Sequence, residues 1–298
     1  MFYLWFQKLK RAYCLPFASH FWPSGSEEEG CPDNREKGMV EGKDLSISPQ
    51  PDSPRIRRYS KLEPLKPPVL ISIIIPIYNE RQHIEQILER VAAVDIAPNV
   101  QKEIIVVDDG SSDGSMELLT TLTQRFQFKL HKSMLNFGKG IAVRTGLKYA
   151  NGDIILIQDG DLEYNPEEYP QLVNPIIEGL SDVVYGSRFF TRPQGMKVRN
   201  YLANRFLTFL ANLLYGTRIS DEATAYKVFR REIFDQIDLK CRRFEFCPEV
   251  TAKISKLGYR IYEVPISYQG RNILEGKKIR FRDGAEAVWA LIKYRFMR

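Results

Sequence analysis

Three carboxylates gather where an apolar run stops. Ile154-Ile155-Leu156-Ile157 is followed at once by Gln158-Asp159-Gly160-Asp161, with Glu163 two residues further on. The run is rich in β-branched residues, which fits a strand buried on both faces, and it is too short for a core helix. In an open parallel sheet, ligands bind outside the carboxyl ends of the strands. Asp161 and Glu163 are therefore placed to offer hard oxygen ligands to Mg2+ or Mn2+. Such ions take one or two carboxylates and complete their shells with water and substrate phosphates. A solvated acidic turn has the same composition, so the pattern gains meaning only through repetition.

It recurs twice upstream. Ile71-Ser72-Ile73-Ile74-Ile75 ends in Pro76-Ile77-Tyr78-Asn79-Glu80, where proline removes a ladder donor. Asn79 is the expected N-cap of a helix carrying Ile84, Ile87, Leu88 and Val91 at helical spacing. Ile104-Ile105-Val106-Val107 ends in Asp108-Asp109-Gly110-Ser111-Ser112-Asp113-Gly114, ahead of a helix with Met116, Leu118, Leu119 and Leu122. Strand, acidic tip and helix in alternation predict a doubly wound α/β sheet.

These three strand-end motifs, taken in order, resemble the signature set of the family 2 nucleotide-sugar glycosyltransferases. Within that family the sequence is most similar to the dolichyl- and polyprenyl-phosphate mannose and glucose synthases, from Val69 to Arg282. The resemblance implies a GT-A (Rossmann-like) fold: a mixed, mostly parallel sheet with flanking helices, forming one catalytic domain behind a disordered N-terminal extension. Asn136-Phe137-Gly138-Lys139-Gly140 is similar to the family's glycine-lysine-glycine turn opening a helix. A helix start of this kind binds anions through its free amides, and Lys139 adds a point charge. Gly186-Ser187-Arg188 resembles the segment that sets an arginine near the acceptor phosphate. Asp221-Glu222-Ala223-Thr224-Ala225-Tyr226-Lys227 resembles the acceptor-side acidic segment, with Glu222 where the family often has a small residue or threonine. Phe244 to Glu249 and Glu263 to Ile266 match two further landmarks. Arg271, with Glu275-Gly276-Lys277-Lys278-Ile279, is similar to the segment that closes over the donor diphosphate. Glu163 stands where some relatives carry glutamine. The two transmembrane helices that end several prokaryotic relatives have no counterpart in this sequence.

Charge assigns the expected roles. A leaving diphosphate develops negative charge, which a metal and fixed cations stabilise. Asp161 and Glu163 are the expected metal ligands, and Arg271 and Lys278 the neutralising cations. Asp159 is expected on the ribose or the metal's water shell. Glu80 and Asp109 are placed to accept hydrogen bonds from base and ribose, beside Pro76, Tyr78 and Lys139 in the nucleotide-sugar site. A sugar hydroxyl as acceptor needs a carboxylate base, and Asp221 is the candidate. A lipid phosphate is already largely ionised near neutral pH and needs positioning instead. Arg188 and Arg199 suit that task, because guanidinium binds phosphate bidentately. Asp221 then becomes an orienting or arginine-pairing residue.

The expected activity is metal-dependent, inverting transfer of a hexose from GDP-mannose or UDP-glucose to a polyprenyl phosphate at a membrane surface. One alternative keeps the enzyme class with a saccharide hydroxyl as acceptor; another is a non-catalytic nucleotide-binding or membrane-scaffolding protein. The formal charge of +6 favours an anionic partner. Acidic residues at the best-defined strand ends argue against nucleic acid. Cys14, Cys31, Cys241 and Cys247 form no CxxC pair or zinc-like grouping, which favours a reducing compartment, hence the cytoplasmic face of a membrane.

Three regions are expected. Residues 1–68 comprise an aromatic and basic start, broken by Lys8, Lys10 and Arg11, and a Pro-, Ser-, Glu- and Lys-rich linker too polar to order itself. Residues 69–268 form the catalytic domain, with a nucleotide-sugar half to residue 165 and an acceptor half from 166. Residues 269–298 form a basic closing segment and an amphipathic C-terminal helix, suited to an anionic leaflet or to a homo-oligomer contact. Arg199 to Tyr215 is a second amphipathic helix, with Leu202, Phe206, Phe209, Leu210 and Leu213 on one face. That face either packs on the core or lies in the membrane surface.

Overall fold

The computed structural model describes residues 63–191, 193–271 and 281–297. The expectations for residues 1–62, and for Lys278 with the segment 275–279, lie outside the described residues. Seven strands form one sheet: β1 (Val69–Ile77), β2 (Val100–Asp108), β3 (Lys129–Lys132), β4 (Ile154–Ile157), β5 (Val183–Ser187), β6 (Lys227–Arg230) and β7 (Ile261–Pro265). Their order is β3-β2-β1-β4-β6-β5-β7. The β3, β2, β1 and β4 strands run parallel, as do β5 and β7, while β6 is antiparallel to both of its neighbours. The mixed, mostly parallel sheet expected from the sequence is thus present.

The alternation of side chains along a strand explains why the apolar runs are continuous. Ile71, Ile73, Ile75, Ile104, Val106, Ile154 and Leu156 enter one core. Ile74, Ile105, Val107, Ile155 and Ile157 enter the other. Each fully buried side chain of this size contributes about 1.5–3 kcal/mol over leaving it exposed. The first face is covered by α1 (Ile84–Ala93), α2 (Ser115–Leu122) and α4 (Tyr169–Ile177); the second by α3 (Lys139–Tyr149) and α6 (Phe246–Lys256). Lys102 closes the end of α1 by donating from Nζ to the carbonyls of Val91, Ala92 and Val94.

Asn79 is not the cap of α1, which begins after His83. With a positive φ of 50°, Asn79 instead staples two strand ends. Its amide donates to Ser111 Oγ (2.9 Å), and its Oδ1 accepts from the Ser112 amide (2.8 Å). Satisfying the loop after β2 took precedence over satisfying the helix.

Two further helices pack together, α5 (Val198–Tyr215) and α7 (Phe281–Phe296). Leu207 and Ala211 of α5 pack with Ala287 and Leu291 of α7, and Tyr215 donates its hydroxyl to the Leu291 carbonyl (2.5 Å). Of the face grouped by sequence, Leu210 alone packs against this cluster among the described residues. Val198, Leu202, Phe206, Phe209 and Leu213 form an outward stripe, each between 45% and 74% exposed. Trp289 of α7 is 64% exposed. No helix of the described residues is long and apolar enough to cross a membrane.

Candidate active site at the carboxyl ends of the strands

The parallel strands β1, β2 and β4 all end at the same edge, and their acidic tips meet there in a cleft of about 670 Å3. Pro76, Tyr78, Glu80, Asp109, Lys139, Asp159, Asp161, Glu163 and Arg271 all line it. Every described residue expected in the nucleotide-sugar and metal sites is therefore in one place.

Several of them also build the cleft. Both oxygens of Asp109 accept backbone amides, from Phe137 (2.9 Å) and Gly138 (2.7 Å). Burial raises the Asp109 carboxyl above the ordinary value, and these two amides oppose the rise. Asp109 thus fixes the turn that presents Lys139, the first residue of α3. Gly138 holds that turn at φ 103°, and a Cβ there would fall 2.6 Å from the Arg242 carbonyl oxygen. Gly110, at φ 72°, has no room either, because a Cβ would lie 2.6 Å from the Leu135 carbonyl carbon. Lys139 pairs with Asp159 across the cleft. Burial alone would depress its ammonium, but Asp159, with Asp161 behind it, raises it.

Arg271 sits at the centre of the acidic group. Its guanidinium contacts Asp161 Oδ2 (2.5 Å), Glu80 Oε2 (3.1 Å) and Glu163 Oε1 (3.7 Å). Glu163 anchors the strand-like approach of Arg271 by accepting its backbone amide at Oε1 (2.9 Å), and it takes the Tyr268 hydroxyl at Oε2 (2.8 Å). Asp161 Oδ1 accepts the Glu163 amide (3.1 Å). Burial, then Asp159 and Glu163, push the Asp161 carboxyl up to about 7, against the pull of Arg271.

That surplus of negative charge fits a divalent cation. Among the described residues, no three His, Cys, Asp or Glu side chains stand together at ligating spacing. A cation here would use Asp161 with Glu163 and draw the rest of its shell from diphosphate and water, the usual habit of Mg2+. When bound, it would neutralise charge on a leaving diphosphate.

A second cavity of about 490 Å3 adjoins the cleft, and Lys139, Asp159, Glu163 and Phe244 border both. Arg188 and Arg199 line it, together with Phe206, Leu207 and Val288. Asp221 does not border it. Fully buried, it is clamped by Arg188 through Nε–Oδ2 (2.6 Å) and Nη2–Oδ1 (2.7 Å), with the Arg188 amide also on Oδ2 (3.1 Å). Asp221 thus has the geometry of an arginine-pairing residue. Burial would lower the Arg188 guanidinium, yet Asp221 keeps it well above the ordinary arginine value. Arg199 is exposed at this cavity and makes no ion pair among the described residues.

Arg243 also borders the cleft, a residue that sequence reasoning missed. It belongs to the segment that packs its backbone on Gly138 and Gly140. Its only signal was adjacency to Phe244.

A fold with its acidic strand ends arranged in this way defines a class. The glycosyl transferase family 2 model matches residues 72–238, and the chain belongs to that family. It is 30% identical over 220 residues to a dolichol-phosphate mannosyltransferase of Pyrococcus furiosus, covering 70% of this chain and 60% of that protein. It is also 30% identical over 210 residues to an undecaprenyl-phosphate 4-deoxy-4-formamido-L-arabinose transferase of Salmonella paratyphi A, covering 70% and 62%. The chain therefore spans about three fifths of the length of these relatives. In structure it is similar to glucosyl-3-phosphoglycerate synthase of Mycobacterium tuberculosis, with a TM-score of 0.61 at 18% identity over 77% of this chain and 81% of that one. That enzyme has been crystallised with Mn2+ and UDP and with Mg2+ and UDP.

Proposed function

We propose that this protein transfers a hexose from a nucleotide sugar, GDP-mannose or UDP-glucose, to a polyprenyl phosphate at a membrane surface, with inversion at the anomeric carbon. The observation that carries this reading is the pair of adjoining chambers with a common wall. One is charged and suits a diphosphate. The other is largely apolar and carries two arginines, which suits a phosphate on an isoprenoid chain.

The residues divide the work accordingly. Lys139 and Arg271 hold the diphosphate, and the Asp161 and Glu163 carboxylates hold the divalent ion that accompanies it. Arg188, kept in one orientation by Asp221, and the uncommitted Arg199 receive the acceptor phosphate. That phosphate is its own nucleophile, so no general base is required. The wall formed by Lys139 and Asp159 keeps the two anions apart until the sugar bridges them. The outward stripe of α5 and Trp289 of α7 supply apolar surface for the headgroup boundary of a leaflet. The names of the two relatives, each acting on a polyprenyl phosphate, support the acceptor class. Metal ions in the Mycobacterium structures support the cofactor. Free Cys241 and Cys247 fit a cytoplasmic face.

The test supplies the protein with Mn2+, radiolabelled UDP-glucose or GDP-mannose, and a polyprenyl phosphate in detergent. Label enters the organic phase for one donor, and Asp161→Ala abolishes the transfer. Arg188→Ala and Arg199→Ala each reduce it at least tenfold. Nucleotide release with a cold organic phase would refute the lipid acceptor.

A further inference from the structure

The acceptor-side loop between α5 and β6 carries a second buried carboxylate beside Asp221. Glu222 has no solvent exposure, yet it borders the apolar cavity that Asp221 does not reach. Its backbone is fully employed: the amide donates to Thr208 Oγ1 (3.0 Å), and the carbonyl accepts from Lys227 Nζ (2.7 Å). Its side chain is not. Oε1 has only a long contact to Thr251 Oγ1 (3.4 Å), and Oε2 has no hydrogen-bond partner among the described residues.

Buried polar atoms are almost always paired, and an exception in a well-packed site calls for a reason. Lys227, whose charge partly offsets the burial of Glu222, makes no hydrogen bond to the carboxylate. Its ammonium is spent on the Glu222 carbonyl and lies over the Tyr185 ring, 3.6 Å from the centroid. The cavity that Glu222 borders opens onto Asp159 and Lys139, the wall shared with the donor cleft. Oε2 is itself buried beneath the cavity surface, so a side-chain rotation brings it to the cavity, where it accepts from an O–H donor of a bound molecule.

We infer that Glu222 accepts a hydrogen bond from a hydroxyl of the transferred sugar and so selects which sugar is transferred. This rests on the proposed function. There, the acceptor is an ionised phosphate with no alcohol to offer, so the only polyol at the wall is the donor's hexose. If the acceptor were instead a saccharide, the same oxygen would meet the acceptor's hydroxyl, and the two sources separate experimentally. A site built to accept from a hydroxyl discriminates strongly against an analogue lacking it, because the carboxylate is then left unpaired.

The experiment titrates the full chain in Mn2+ with UDP and UDP-glucose, and with GDP and GDP-mannose, by calorimetry. Wild type, Glu222→Gln and Glu222→Ala are compared. The nucleotide-sugar Kd rises about tenfold in Glu222→Ala and less in Glu222→Gln, whereas the Kd of the bare nucleoside diphosphate stays within about twofold. Turnover with 3-, 4- and 6-deoxy donors follows. One deoxy sugar lowers wild-type kcat/KM as much as Glu222→Ala does, and has no further effect in that variant. Equal weakening of diphosphate and sugar nucleotide, with a lower Tm, would assign Glu222 a structural role and overturn the inference. Unchanged donor binding with a raised KM for the acceptor would move the hydroxyl to the acceptor and overturn it too. Unchanged binding and turnover would overturn it while leaving the proposed function standing. Failure of wild type to bind any sugar nucleotide would remove the proposed function first.

Discussion

A divalent ion entering the cleft near pH 6.5 should expel a proton, and Asp161 should be its source. Burial beside Asp159 and Glu163 lifts this carboxyl from its ordinary 3.8 to about 7. At about pH 6.5, roughly three quarters of the metal-free molecules then carry that proton, falling to about a tenth near pH 8. A metal ligand must be deprotonated, so binding should release about 0.8 proton per Mn2+ at the lower pH and about 0.1 at the higher. Calorimetric titration with Mn2+ and UDP in buffers of different ionisation enthalpy measures this count directly. Asp161→Asn should lose the difference between the two pH values. Arg271→Met should extend proton release to higher pH, because Arg271 opposes the rise. The same shift has a sign for stability. The metal-free fold binds this proton more tightly than the unfolded chain does. Its contribution therefore favours the fold as pH falls from about 7 towards 4, is lost as pH rises through 7, and is on the order of 4 kcal/mol. A count near zero at both pH values would refute the reasoning, since Asp161 would then be ionised before the ion arrives.

Other consequences are separable. Asp221→Ala strands the buried Arg188 guanidinium and should cost about 3–5 kcal/mol, lowering Tm in calorimetry by roughly 6–20 °C; the Arg188→Ala/Asp221→Ala double variant should lose less than the sum. Gly110→Ala forces a side chain into positive φ against the Leu135 backbone and should cost at least about 1 kcal/mol, read as a lower Tm together with weaker UDP or GDP binding. Leu202→Glu with Phe209→Glu alters only exposed positions, so Tm should move by no more than about 4 °C. Sedimentation with anionic vesicles should nevertheless fall at least tenfold.

Much of the acidic cleft was legible because its signals are local. Runs such as Ile71 to Ile75 and Ile154 to Ile157 announce strands buried on both faces, and the carboxylates directly after them must emerge at one edge of a parallel sheet. The missing pieces depend on contacts between distant segments. Lys129 to Lys132 has two lysines in four residues and becomes a strand only by pairing with β2. Asn79 has the side chain of a cap, but an unsatisfied amide in a loop some thirty residues away claimed it. Which side of α5 would be buried depended on where α7 docks, and no periodicity within α5 records that. Nothing near Arg271 in the sequence marks its three carboxylate partners, which come from strand ends far upstream.

The partition between the two chambers has a consequence for how such a protein can change. Lys139, Asp159, Glu163 and Phe244 each border both sides, so a substitution there that reshapes one chamber also reshapes the room next door. Divergence in what either chamber accommodates is therefore cheapest at positions that touch one chamber alone, such as Tyr78 on one side and Val288 on the other. Descendants of a common ancestor should share the wall and differ in the rooms.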